Sequence, residues 1–326
     1  MKKKLVIYIP TYNRIDKLRY CLDAITKEIS GLEDQVGVYV SNNCSTDETR
    51  AHLESIDYEW LHHHHNTHNI GAYGNVAYAF KLPIEAEFIW TIGDDDYVMP
   101  GAIAGIVELI DAYPEADHIF CNTKAFPAEQ SEAILAQYFA TSSIEGGIVK
   151  SRKYVGTALV DFEKLIDPSI ADTLLGELMC ICFRQSSVRL ANELPDGNLD
   201  NIDFAQIDLR TAGHLFQPHS CALLDSFHSN TKSVYCDAVR TFNFWGSAEW
   251  LGDYDYVFPV MMLFLISEYK KRDFISESKF KELMTYYYAI MRASLTRQAS
   301  GSSTARPFNA TIKAEMFDFL VMHTNG

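Results

Sequence analysis

Basic residues are scarce in this chain: 28 Lys and Arg stand against 43 Asp and Glu, a formal net charge of −15. That balance excludes nucleic-acid binding through a broad basic face, though not a local basic patch for a phosphorylated ligand. No apolar run reaches the roughly 18 residues that a membrane-crossing helix needs. The nearest, Val257 to Ile266, is too short. At the N-terminus, Met1-Lys2-Lys3-Lys4 is followed by apolar residues only from Leu5 to Pro10, without the long apolar core and cleavage site of a signal peptide. The seven cysteines, an odd number, show neither zinc-ribbon nor redox spacing, which reads as buried free thiols in a cytoplasmic protein. Both G-x-G-x-x-G after the first strand and G-x-x-x-x-G-K-[ST] are missing, so a dinucleotide dehydrogenase and a P-loop enzyme are disfavoured. Internal repeats and low-complexity tracts are absent as well.

What remains is an ordinary globular composition, 48% hydrophobic and 22% charged over 326 residues, enough for one large domain or two medium ones. The first 120 residues alternate strand and helix. Strands are predicted at Leu5–Ile9, Val36–Val40, Tyr58–His63, Phe88–Ile92 and Ile119–Asn122. Between them, Leu18, Cys21, Leu22, Ile25 and Ile29 recur at helical spacing. Ser45-Thr46-Asp47-Glu48 reads as a capping box, Asn75–Lys81 is helical, and Pro100 starts a helix to about Ala112. Alternation of this kind predicts an α/β fold with a mostly parallel central sheet flanked by helices. Further on, Met179–Phe183 and Cys221–Phe227 read as strands, and Ala205–Ala212 as a helix ended by Gly213. A helical C-terminal extension follows, with Tyr256–Lys271, Lys279–Arg297 and Ala310–His323. The chain is expected to divide into a ligand-binding half at 1–120, a second half of the same catalytic domain at 121–240, and the helical extension at 241–326.

Ligands of such sheets sit at the carboxyl ends of the strands. The fourth strand ends in Gly93-Asp94-Asp95-Asp96, and three adjacent carboxylates repel one another unless a cation joins them. Mg²⁺ and Mn²⁺ are hard cations that take carboxylate oxygens and phosphate together. The plain alternative is an acidic turn ahead of the next helix.

Four segments at strand ends form an ordered set: Pro10-Thr11-Tyr12-Asn13-Arg14, Ser41-Asn42-Asn43-Cys44-Ser45-Thr46-Asp47, Asn69-Ile70-Gly71 with Asn75, and Gly93-Asp94-Asp95-Asp96. This set resembles the family 2 glycosyltransferases of GT-A fold, over roughly the first 120 residues. The resemblance implies inverting, metal-dependent transfer of a sugar from a UDP- or other nucleotide-sugar to a glycan or lipid-linked acceptor, in polysaccharide assembly. On it, Pro10, Thr11, Tyr12 and Arg14 would line the nucleoside. Asn42 would face the base where the family often has Asp, and Asn69 and Gly71 would pass near base and ribose. Asp94 and Asp95 would lie near ribose and sugar, and Asp96, with Asp94, would hold Mn²⁺ or Mg²⁺.

The family's catalytic base is a carboxylate beyond the metal motif. The stretch Asp200–Gly213 is a loose match that offers Asp203 first and Asp208 second, with a helix N-cap as the alternative for Asp203. Some relatives use a histidine late in the domain as an extra metal ligand, here His228, for which a surface position is the alternative. His62-His63-His64-His65 falls on a strand, where neighbours face opposite ways, and lacks a third metal ligand on one face. Tyr286, Tyr287, Tyr288, Trp245 and Trp250 suit packing, sugar faces, oligomer contacts or a membrane interface. Val257–Ile266 with Lys270, Lys271 and Arg272 leaves a peripheral contact with the inner membrane face open, and a homo-oligomer is open too. Two rival readings stand beside the transferase. A sugar-phosphate nucleotidyltransferase would need a glycine-rich loop where Pro10–Arg14 has none, and a non-catalytic carbohydrate-binding or scaffold module would not need the Asp triplet.

Overall fold

The computed structural model describes residues 2–188, 201–245 and 252–324, so Trp250 and Asp200 lie outside the described residues. The first half winds as β1 (Lys3–Thr11), α1 (Ile15–Ile29), β2 (Val36–Asn42), α2 (Thr49–Ser55), β3 (Leu61–His65), α3 (Gly71–Ala77) and β4 (Ala86–Thr91). It continues through β5 (Tyr97–Val98), α4 (Ala102–Ala112), β6 (His118–Pro127), α5 (Ser131–Thr141), β7 (Ile148–Val149), β8 (Ala158–Asp161) and β9 (Ile181–Arg184). The chain ends in α6 (Leu209–Phe216), α7 (Pro218–Ser226), β10 (Lys232–Trp245), α8 (Tyr254–Lys271), α9 (Glu277–Ala299) and α10 (Ala310–Thr324).

One sheet takes strands from both sides of position 120, in the order β3-β2-β1-β4-β9-β6-β10-β5. The longer strands β3, β2, β1, β4, β6 and β10 point the same way, and short β9 runs antiparallel between β4 and β6. The mixed α/β sheet is therefore parallel in its main strands, as expected. Because strand side chains alternate, the sheet buries both faces. Leu5, Ile7 and Ile9 pack with α1 and α4 on one face. Val6 and Tyr8 face the other, larger core, shared with α6 to α10.

Four sequence expectations are corrected. Cys221–Phe227 is not a strand: Cys221 to Ser226 lie in α7, with Phe227 as its C-cap, and the helix is opened by Pro218, whose missing N–H costs nothing in a first helical turn. Its apolar run is buried all round, which periodicity cannot tell from a strand. Gly213 does not end a helix at 212; it lies inside α6, which runs on to Phe216, because α8 packs against it. The capping box at Ser45 does not form either. Helix α2 starts at Thr49, and the Ser45 hydroxyl instead accepts from the Asn13 N–H at 2.9 Å. Finally, Val257–Ile266 is buried throughout against α6 and α9, so its apolar surface is spent on the core and not on a membrane. Among the described residues no helix is long and apolar enough to cross a membrane.

A Cβ built on Gly213 would overlap the Phe264 ring. Alanine gains about 1 kcal/mol over glycine in a helix interior, but overpacking costs about 1–3 kcal/mol. Gly213→Ala is therefore expected to lower the melting temperature. A higher one in a thermal unfolding scan would mean that α8 yields without cost.

Candidate active site

The strand order turns at β1: β2 and β3 follow on one side, β4 on the other. The crevice above such a switch point is where doubly wound sheets place ligands. At this edge the first loop grips the acidic turn. Thr11 Oγ1 donates to Asp94 Oδ2 at 2.8 Å, and Arg14 Nη1 lies 2.9 Å from Asp94 Oδ1. The other Arg14 nitrogen, Nη2, bonds Asp95, which also has Lys17 Nζ at 3.6 Å. Asp96 turns inward: its Oδ2 accepts from the Gly93 N–H at 2.6 Å, and its Oδ1 faces Asn243 Nδ2 at 3.3 Å.

These contacts set the proton affinities. Burial pushes the Asp94 carboxyl up to about 7, with Arg14 pulling the other way and Asp95 adding to the rise. Burial, then repulsion from Asp95, raises Asp96 well above the usual carboxylate range.

The second and third loops are joined by a ladder of asparagines. Asn43 Nδ2 donates to Asn69 Oδ1 at 2.7 Å and to the Gly71 carbonyl at 3.1 Å, while its Oδ1 accepts from Asn66 and the Ile70 N–H. Asn75 accepts from the Ser41 hydroxyl at 2.6 Å and donates to the Ser41 carbonyl at 2.9 Å. Gly71 takes a φ of 76°, a left-handed value that suits glycine. Asn42 is 2% exposed, and both ends of its amide are taken: Oδ1 by the Ser45 N–H, Nδ2 by His65 Nδ1, each at 3.0 Å. Asp47 Oδ2 accepts from the Ile15 N–H at 3.1 Å, tying the second loop to α1. Of the first loop, Tyr12 is left exposed at 37%, and Pro10 is partly covered.

Beside the triplet opens a cavity of about 780 Å³, reached by Gly93, Asp95, Asp96 and Asn243 from the sheet edge. Its lining also includes Lys150, Asp172 and Glu177, together with Tyr73, Phe216, Trp245 and Met261. Lys150 bonds the carboxylates of both Asp172 and Glu177. Burial works against the Lys150 charge, but Glu177 and then Asp172 hold the ammonium protonated well above the usual lysine range. Sequence reading missed Glu177, Lys150 and Asn243. The run Thr241-Phe242-Asn243-Phe244-Trp245, apolar at alternate positions, was the one available sign that a strand ended at this edge.

The expected base and extra ligand stand elsewhere. Asp203 is exposed and accepts from the Ala205 N–H at 3.0 Å. Asp208 is exposed and caps α6 through the Thr211 N–H at 2.7 Å, which also holds its carboxyl below the usual range. Neither lines the cavity. His228 lies ahead of the first residues of β10, where Ser233 pairs with His118. That is the sheet edge opposite to Asn243 and the triplet. Asp94 lies behind the cavity wall with both oxygens engaged, whereas Asp95 and Asp96 line it.

Asp96, buried and driven toward protonation beside Asp95 in the cavity lining, is in the condition that a divalent cation relieves, so the pair fits Mg²⁺ or Mn²⁺. Among the described residues no three His, Cys, Asp or Glu side chains form a metal group. The fit is thus to a cation that takes one or two carboxylates and completes its shell with phosphate oxygens.

Residues 6–166 match the family model described as glycosyl transferase family 2. A search of the curated proteins finds no match. Among solved structures, S. aureus TarS 1-349 aligns at 15% identity and a TM-score of 0.56, over 89% of this chain and 73% of that one. The same protein in complex with UDP-GlcNAc aligns at 16% and 0.56, over 91% and 73%. The mannosyltransferase PcManGT from Pyrobaculum calidifontis, in complex with GDP-Man and Mn²⁺, aligns at 13% and 0.51, over 99% and 85%. At these identities the likeness establishes the fold, which is the GT-A architecture.

The raised Asp94 carboxyl gives a pH test. The fold favours its protonated form, so its stabilising contribution is full below the ordinary 3.8 and is lost as pH rises through about 7. That gap corresponds to about 4 kcal/mol. In metal-free buffer Asp94→Asn, which mimics the protonated group, is expected to be more stable than wild type above pH 7 by up to that amount. The advantage should fade toward pH 4. Denaturant unfolding across this range checks it, and a variant less stable at pH 8 would contradict the assignment.

Proposed function

We propose that this chain, whose residues 6–166 belong to glycosyl transferase family 2, moves a sugar from a nucleoside diphosphate donor to a hydroxyl of a glycan or lipid-linked acceptor, with inversion at the anomeric carbon. The observation that carries the finer reading is the cavity itself, which Asp95, Asp96 and Glu177 line together. The crevice over β1, β2 and β4, bounded by Thr11, Arg14 and the asparagine ladder, takes the nucleotide. Its diphosphate then points along β4 toward the acidic turn.

Asp96, with Asp95, would hold a divalent cation whose chemistry there is to neutralise charge on the leaving diphosphate. The TarS structures with UDP and UDP-GlcNAc, and the mannosyltransferase with GDP-Man and Mn²⁺, support a donor of this class and a metal of this kind. Glu177 takes the acceptor proton. It is a carboxylate partly open to the cavity, and Lys150 fixes its direction. Asp203 and Asp208 do not line the cavity, which disfavours both for that role. An adenylyl- or uridylyl-transferring rival is disfavoured, because Pro10–Arg14 has no glycine-rich phosphate loop.

Glu177→Gln is expected to keep UDP or GDP binding and to lower transfer by roughly 10²–10⁴-fold, the usual contribution of a general base. Normal transfer in that variant would remove Glu177 from the chemistry. Asp203→Asn should transfer like wild type. Asp96→Ala is expected to lose Mn²⁺-dependent nucleotide binding in calorimetry while its circular dichroism stays native. Unchanged metal dependence would sink the cation assignment.

A further inference from the structure

We propose that His65 is a positioning residue for the nucleotide crevice: its neutral imidazole holds Asn42 in the single amide orientation that ties the second loop to the first, so that protonating His65 weakens nucleotide binding. This rests on the nucleotide reading above.

The orientation follows from donors and acceptors alone. The Ser45 N–H can only donate, so the Asn42 atom 3.0 Å from it is the oxygen. The Asn42 NH₂ therefore faces His65 Nδ1 at 3.0 Å, and that nitrogen must accept. The ring proton then sits on Nε2, which is buried without a hydrogen-bond partner. It lies 3.8 Å from Glu54 Oε1, itself held by Arg50 Nε at 2.8 Å.

Protonating Nδ1 sets donor against donor. Turning the Asn42 amide over would restore the bond to His65 but would point its NH₂ at the Ser45 N–H. One of the two bonds is lost either way. Ser45 is the link to the first loop, since its hydroxyl accepts from the Asn13 N–H at 2.9 Å and Asn13 Oδ1 accepts from the Thr46 N–H at 2.7 Å. Arg14, the next residue, grips Asp94 and Asp95.

The groups facing His65 are few. From β3 itself come His63, with ring centroids 5.0 Å apart, and His64; α2 brings Arg50 and Glu54; β2 brings Asn42. Burial first, then His63 and Arg50, hold His65 below the ordinary 6.5, with only Glu54 opposing. The fold thus favours the neutral ring. Linkage allows a loss of up to tenfold in affinity for each pH unit below its titration point. The histidines do not make a metal group among the described residues.

The test is calorimetric titration with UDP or GDP, whichever binds wild type more tightly, at pH 7.5 and pH 5.0 with Mn²⁺ held constant. Because Asp94 and the nucleotide phosphate also titrate, the reading is the ratio of the two affinities in wild type against His65→Gln. Glutamine offers Asn42 an acceptor that does not titrate. The expected result is a ratio about three- to tenfold larger in wild type. His65→Leu should bind more weakly at both pH values, with the flatter profile of His65→Gln. Equal ratios in wild type and His65→Gln overturn the proposal, while absence of any UDP or GDP binding by wild type overturns the nucleotide reading beneath it. If His65→Gln does not fold, long-range ¹⁵N spectra of the wild-type imidazole decide. An Nε2–H tautomer titrating below 6.5 supports the proposal, and an Nδ1–H tautomer or a higher titration point overturns it.

Discussion

The clamp of Arg14 on Asp94 and Asp95 is the contact on which the site depends. Three adjacent carboxylates at a strand end are an unstable arrangement by themselves, and burial of Asp94 and Asp96 makes it worse. Arg14 and Thr11 answer this from the first loop, and Asn243 answers from the end of β10. Loops from strands distant in sequence are thereby fixed to one another by the charge they must offset. The acidic turn organises the crevice before any ligand enters it, at the cost of carboxyl groups that resist ionisation. A cation and a diphosphate bring what such a turn lacks.

Much of this was legible in the sequence. The strand-helix alternation to residue 120 came from period alone, and the loop residues from their positions at strand ends. What was not legible has a common physical cause: residues whose role comes from partners far along the chain. Ser45 and Asp47 look like helix caps, because a capping pattern is local; Asp47 does accept from the Thr49 N–H at 3.0 Å, but Ser45 with Asn13, and Asp47 also with Ile15, reach partners 32 residues away. Asn42 looks like a base-reading amide, yet both its polar ends are spent within the protein. Gly213 looks like a helix stop, and only the Phe264 ring explains it as an interior residue. The 14 residues of β10 alternate too irregularly to announce a strand, since the register shifts between Cys236 and Thr241.

The same limitation governed the base. Asp203 and Asp208 carry the pattern of carboxylates before a helix, and that is what they are: turn and cap formers. Glu177 carries no local pattern at all. Its position is made by packing. Gly176 leaves room for the Gln217 side chain, which an added Cβ would strike, and buried His219 donates from Nε2 to the Gly176 carbonyl at 3.1 Å. Burial drives His219 down to about 4, so it serves as a neutral donor across the working pH range.

Between these two carboxylate groups the electrostatics divide the cavity. At the sheet edge Asp94 and Asp96 are driven toward their neutral forms, and a cation would favour their ionised forms again. Elsewhere in the lining Lys150 bridges Asp172 and Glu177, one ammonium against two carboxylates. A carboxylate that is to accept a proton from a hydroxyl must be ionised yet not neutralised outright. Glu177 shares the Lys150 ammonium with Asp172, and Cys180 Sγ lies 3.6 Å from its other oxygen. On the reading proposed above, Lys150 would set the direction of Glu177 as the base while Asp172 draws off part of its charge.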